Sequence, residues 1–220
     1  MLQKSTLDYL KALKNNNNKP WFEKHRPDFE NAKNDFNKMV EGLIAGIGKF
    51  DPQVASLTAK ETMFRQNRDI RFSKDKRPYK HHMGTYINPG GKKINTPGYY
   101  FHLEPGKSIV AGGLYEPEPH MLAKVRQEID YNLPELNKIL EARDFKKYFP
   151  GGLNKDDILK RPPKGYENDN PAIAMLKLKS FTVSGHITDE ALYSPSIKQI
   201  LLKNFKSLQP LLAFLQRAIE

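Results

Sequence analysis

Residues Tyr99–Leu114 read YYFHLEPGKSIVAGGL, and the fold class follows from them. Two runs suited to extended backbone, Tyr99–Glu104 and Lys107–Leu114, flank Pro105-Gly106. Proline presets the first corner of a type II turn and glycine supplies the positive φ of the second, so the runs are predicted to pair as an antiparallel hairpin. Upstream, Thr62–Phe72 and Gly84–Asn88 have the same β-rich character, and Pro89-Gly90-Gly91 marks a second break. Strands this close in sequence leave no room for helical crossovers, which favours antiparallel pairing. Downstream, Leu176, Leu178 and Phe181 alternate with Lys177, Lys179 and Ser180, predicting one more strand over about residues 173–183.

Helical spacing takes over on either side of this β-rich region, 58–115. In residues 1–50, Ser5 and Asp8 form a weak capping-box pattern ahead of Leu7, Leu10 and Leu13. The run Asn15–Asn18 is read as stopping that helix and capping the next. Pro20 and Pro27 fit first-turn positions, giving a short turn around Trp21-Phe22 and then a long helix to about Ile47. Phe29, Phe36, Val40, Leu43 and Ile47 form its buried stripe. Residues 118–149 are helical again, with Leu122, Val125 and Ile129 on one face. The tail, 195–220, is a helix that Pro210 is expected to kink or restart. The sum is one α+β domain over residues 1–220. Its mostly antiparallel sheet of about five or six strands packs with N- and C-terminal helices.

Composition excludes several classes. There is no cysteine among the 220 residues, so disulfides, thiolate metal sites and cysteine nucleophiles are absent. No apolar run approaches the roughly 18 residues of a membrane helix, and the N-terminus shows no signal-peptide core. These features predict a soluble, cytoplasmic protein with no membrane partner. The net charge is +11, and Arg65–Lys80 holds seven cations against Asp69 and Asp75. Such a field attracts phosphates, carboxylates or nucleic acid.

Familiar catalytic motifs fail on inspection. Gly106-Lys107-Ser108 lacks the earlier glycine of a phosphate loop, Gly112-Gly113 lacks the third glycine of a dinucleotide fingerprint, and no G-x-S-x-G elbow occurs. The six histidines show no metal-binding spacing, so no metal ligands are assigned, and any cofactor stays undefined. The segment RQNRDIRFSKDKRPYKHH, residues 65–82, resists dismissal. If Arg65–Arg71 is extended, Arg68 falls among Phe64, Ile70 and Phe72, where a guanidinium needs a carboxylate or a bound anion. Asp69 between Arg68 and Arg71 could hold both forks and leave donors for a ligand.

Several stretches together resemble one family: NNNKPWF at 16–22, RDIRFSKDKRPYK at 68–80, Gly112–Tyr115 with Pro117, Arg126, and Pro163–Pro171 ahead of Lys177. The chain is similar over nearly its whole length to domain of unknown function 2461, found in bacteria and fungi. The resemblance implies a single domain and brings no activity with it. Members of that family often place histidine before Pro171; this chain has Asn170, so no imidazole acts there.

Three readings follow. The first is a pocket for a small anionic ligand, with enzymatic activity left open. Arg65, Arg68, Arg71, Tyr79, Lys80 and His82 line it, Asp69 orients the arginines, and His82 or His102 is the candidate proton shuttle. Tyr115, Arg126, Lys164 and Lys179 join them from the other family stretches. The second is nucleic-acid binding over residues 65–100, with Tyr79, Tyr86, Tyr99 and Tyr100 as stacking platforms. The third is a scaffold in which the Arg–Asp cluster is purely structural. Oligomeric state is not addressed by any of these residues.

Overall fold

A computed structural model describes residues 1–220. Ten α-helices and four strands alternate along the chain. The N-terminal helices are α1 (Lys4–Asn15), α2 (Lys19–Lys24), α3 (Arg26–Ile47) and the single turn α4 (Ala59–Thr62). Strands β1 (Met83–Ile87), β2 (Gly98–Leu103) and β3 (Ile109–Leu114) follow, then α5 (Pro119–Tyr131), α6 (Leu133–Glu141), α7 (Arg143–Tyr148) and the turn α8 (Ile173–Leu176). Strand β4 (Phe181–His186), the turn α9 (Asp189–Leu192) and the long α10 (Ile197–Ile219) complete it.

The sheet is antiparallel throughout, in the order β1-β2-β3-β4. The Pro105-Gly106 hairpin forms as the sequence predicts. His102 pairs with Ile109, the Lys107 N–H donates to the Glu104 carbonyl at 2.9 Å, and Gly106 has φ +73°. Strand alternation sends Tyr99, Phe101, Val110, Leu114, Phe181 and Val183 into the core, each at most 1% exposed. There α10 lies along β3 and β2, while α3 packs on β1 and on α10. Phe101 meets Phe36 of α3 at 5.9 Å and Tyr99 meets Phe205 of α10 at 5.4 Å between ring centroids. One apolar cluster of 46 buried residues runs through all these layers. The opposite face of the sheet carries no helix of comparable length, which leaves Gly84, Tyr86, Tyr100, His102, Ile109, Ala111 and Ser184 turned toward a groove or its rim. No helix is long and apolar enough to cross a membrane.

The four strands are fewer than expected, and two segments account for the difference. Thr62–Phe72 is not a strand. The Thr58–Glu61 capping box starts α4, with Glu61 Oε2 accepting from the Thr58 N–H at 2.8 Å and its hydroxyl at 2.7 Å. Beyond it, only the single bridges Met63–Thr85 and Asn67–Tyr79 survive. Asp69 and Asp75 each accept from a main-chain N–H two residues on (Arg71 and Arg77), and such local bonds compete with a ladder. The strand expected at 173–183 begins only at Phe181. Asn170 Oδ1 accepts from the Ala172 N–H at 2.7 Å and opens α8, while Arg126 binds the carbonyls of Leu176 and Leu178 that a strand would need.

Two helix ends also differ from expectation. α1 starts at Lys4 and Ser5 does not cap it. Asp35 of α3 does so from outside, accepting from the Gln3 N–H at 2.9 Å and the Thr6 hydroxyl at 2.6 Å. α10 continues through Pro210, which is exposed along with Lys206, so the backbone bond that proline cannot donate is missing on the solvent side of the helix. The Asn run behaves as predicted, with the Asn18 side chain accepting from the Trp21 N–H at the start of α2.

Candidate functional site

The open face of the sheet floors a groove of about 760 Å³. Strand alternation supplies its base: Gly84 and Tyr86 from β1, Tyr100 from β2, Ile109, Ala111 and Gly113 from β3, Thr182 and Ser184 from β4. Register places them side by side, with Tyr86 opposite Tyr100, Tyr100 opposite Ala111, and Ala111 opposite Ser184. Small residues in the centre keep the groove deep. Gly113 cannot be otherwise: its φ is +127° and a Cβ would lie 2.0 Å from the Phe181 carbonyl oxygen. Phe64, Lys80, His82, Lys92, Lys93 and Tyr115 form the walls. Lys92 is already engaged, donating to the carbonyls of Lys60 and Met63. Glu116, at φ +45°, and Asp156 are the acidic members of the lining.

Lys80 is the groove's unbalanced cation. Its ammonium lies 5.3 Å from the Phe64 ring centroid, and burial, reinforced by the like charge of Arg65, pulls its pKa below the usual lysine value. It is held there from two directions. Asn17 clamps the main chain of the preceding residue, donating to the Tyr79 carbonyl at 2.8 Å and accepting from the Tyr79 N–H at 3.0 Å. The Tyr79 ring stacks on Phe22 at 3.9 Å, and the Gln66 side-chain amide donates to the Lys80 carbonyl. The NNNKPWF and RPYK stretches, 55 residues and more apart in the chain, thus meet as one structural unit.

At the end of the groove a polar relay closes around Glu104. His102 Nε2 lies 3.1 Å from Glu104 Oε2, and His102 Nδ1 lies 2.9 Å from the Tyr100 hydroxyl. A carboxylate only accepts, so Nε2 carries the proton and Nδ1 accepts from Tyr100. His81 Nε2 lies 3.2 Å from the other carboxylate oxygen. Burial alone would raise the Glu104 pKa, but the His102 hydrogen bond and the neighbouring imidazoles hold it below the ordinary range. His82, its ring centroid 4.3 Å from that of His102, is pushed down to about 4 by burial and by that neighbour. The Tyr100 phenol is pushed up to about 12, chiefly by burial, and stays a donor.

Of the residues expected at the site, the groove brings together Lys80, His82 and Tyr115, with His102 directly behind His82. Arg68 and Arg71 do not converge on it. The Arg68 guanidinium is ion-paired with Asp75 and donates to the Arg77 carbonyl, both at 2.9 Å, while Asp69 holds exposed Arg71 at 2.7 Å. The segment is loop, not strand, so Arg68 does not face Phe64 and Phe72 across a pleat, and Phe72 is 96% exposed. Arg65 is exposed, and Tyr79 is buried against Phe22. Arg126 binds the Leu176 and Leu178 carbonyls, Lys179 pairs with Asp157 at 2.7 Å, and Lys164 lies exposed in a turn; none of the three lines the groove. Two of the tyrosines considered for base stacking are unavailable: Tyr79 for the reason just given, and Tyr99, 1% exposed and donating to Asp51.

In the sequence Glu104 is not singled out, and His81 is set aside with the other histidines because their spacing fits no metal motif. The signal existed: Glu104 ends the β2 run just before the turn, and His102 two residues earlier shares its side of the strand.

A family described as conserved hypothetical protein (DUF2461) matches residues 5–214, and the chain belongs to that family. No curated protein and no solved structure matches it.

Proposed function

We propose that this DUF2461 protein binds a small molecule carrying a phosphate or carboxylate in the groove on the open face of its sheet. The observation that carries the reading is Lys80, a half-buried ammonium that makes no ion pair with a carboxylate and feels the like charge of Arg65. Placing a cation there costs desolvation that no protein carboxylate returns, and an incoming anion would return it. Lys93 adds a second positive group on the same wall, and the volume suits a ligand of mononucleotide size. Ala111, Gly113 and the Tyr100 ring offer an apolar bed for the rest of the molecule. A second cleft, about 600 Å³ between α1, α2 and α3, is lined by Asp8, Asp28 and Asp35 and has the wrong sign for such a ligand. Nucleic-acid binding finds less support, because Tyr79 and Tyr99 are core residues and three of the four arginines of the 65–82 loop, Arg68, Arg71 and Arg77, are paired with Asp75 or Asp69.

A thermal-shift panel of inorganic phosphate, citrate and adenosine monophosphate tests this. At 100 times the dissociation constant a ligand stabilises by about 2.7 kcal/mol. The expected result is an upward shift with at least one of the three that Lys80→Gln removes. Equal shifts in both proteins, or none in either, would count against the groove.

A further inference from the structure

The groove reading leaves one cluster unused. His81, His82 and Glu104 each bring a ligand atom to within 4.8 Å of the other two. We propose that these three residues bind a divalent transition metal, with zinc the best match, leaving an open coordination position toward the groove.

Donor chemistry selects the metal. Two imidazoles and one carboxylate suit zinc and its neighbours in the first transition row, whereas calcium and magnesium demand oxygen alone. In a tetrahedral zinc site with bonds near 2.0–2.1 Å, neighbouring ligand atoms sit about 3.3 Å apart. The His81 Nε2 to Glu104 Oε1 distance is already 3.2 Å. The His82 ligand atom lies within 4.8 Å of both others, so a small inward swing of the rings would complete the set. Three protein ligands and a free position are the arrangement of catalytic rather than structural zinc. His82 is also a groove-lining residue, so the open position faces the ligand space.

The surroundings have the form such a site requires. His102 donates to Glu104 Oε2 and accepts from Tyr100, which fixes the carboxylate and leaves Oε1 for the metal. The Glu104 main chain is pinned by Ser108, whose hydroxyl accepts from the Glu104 N–H at 3.1 Å and donates to its carbonyl at 2.9 Å. On the other side the Gln66 amide reaches the His82 carbonyl at 3.5 Å. A structural ion pair would account for His81 and Glu104, yet it gives no reason for a second imidazole donor beside them.

Isothermal titration of the full-length, chelator-stripped protein with zinc chloride tests the assignment, with cobalt(II) absorption as a second readout. The expected result is one zinc per chain. Glu104→Gln, nearly isosteric and monitored by circular dichroism for retained fold, should lose binding at least tenfold. His102→Gln should weaken it by about 10–100-fold through the lost support of Glu104. His120→Ala, on exposed α5, should bind as the parent does. Cobalt should show the visible bands of a four- or five-coordinate site. The proposal is overturned if no stoichiometric zinc heat is seen, if Glu104→Gln binds as tightly as the parent, or if His120→Ala abolishes binding. Because the titration uses metal alone, its failure leaves anion binding by the metal-free protein to stand or fall separately.

Discussion

Asn17→Ala should uncouple the N-terminal helices from the lysine of the groove. The amide makes two hydrogen bonds to the main chain of one residue, 2.8 Å to the Tyr79 carbonyl and 3.0 Å from the Tyr79 N–H. Tyr79 is 6% exposed, so both main-chain groups lose their partners where water reaches poorly. Each lost bond is worth about 1 kcal/mol net, and each stranded group costs about 1–3 kcal/mol. Asn17 itself is only half-buried, so some water enters; the total should be about 2–4 kcal/mol. For a chain of this size, 3 kcal/mol lowers Tm by roughly 6–12 °C. Thermal unfolding followed by circular dichroism measures this directly, and hydrogen exchange at the Tyr79 amide localises it. Asn16→Ala is the control, since that side chain bonds only to Ala12 of its own helix, at 2.9 Å, on an exposed surface. If Asn17→Ala cost no more than Asn16→Ala, the clamp would be ornamental and the reasoning wrong. Exchange at Tyr79 unchanged by the substitution would refute it equally.

Gly113→Ala should prevent β3 and β4 from pairing, because a Cβ would lie 2.0 Å from the Phe181 carbonyl oxygen; the check is loss of a cooperative urea transition. Arg126→Ala should cost about 1–3 kcal/mol in urea unfolding by stranding the Leu176 and Leu178 carbonyls, and Arg126→Lys should restore it only in part, since a single ammonium nitrogen lacks the rigid Nε–Nη2 spacing that reaches both. Asp75→Asn should make the 65–82 loop a faster trypsin target, because Asp75 holds both Arg68 and Arg77, whereas Asp69→Asn, which frees only exposed Arg71, should change little. Both aspartates are held below their usual pKa, mainly by side-chain hydrogen bonds from Arg77 and Arg71 respectively. Their contribution is therefore complete above the unfolded value of about 3.9 and fades only as pH falls through the lower folded values. Protection of the Arg77 amide, measured against its intrinsic exchange rate at the same pH, should be unchanged at pH 5 and fall well below pH 4; protection already lost at pH 5 would contradict the assignment.

The hairpin, the long helices and the Asn18 cap were legible because each rests on local chemistry: a Pro-Gly corner, an apolar stripe, an amide at a helix start. The strand expected at Thr62–Phe72 does not form because its alternation is real but outcompeted. Asp69 and Asp75 satisfy main-chain N–H groups two residues away, and Thr58–Glu61, a capping box visible in the sequence, turns the chain before a strand can begin. The basic block drew attention to Arg68 and Arg71, yet charge density marks a surface and not a site. What joins Lys80 to Tyr100, Ala111 and Ser184 is sheet register, and what joins Asn17 to Tyr79 is a contact across 62 residues. Neither is written in any single stretch of the sequence.

The central claim is that ligand binds on the open sheet face and not on the arginine loop. Titrating isotopically labelled protein with adenosine monophosphate and following backbone amide NMR shifts separates the two. The account predicts saturable shifts clustered at Lys80, His82, Tyr100, Ala111 and Ser184, weakened at least about tenfold by Lys80→Gln, as loss of a charged hydrogen bond implies. Shifts confined to Arg65–Arg77, or saturable shifts in the groove that Lys80→Gln leaves untouched, would contradict it.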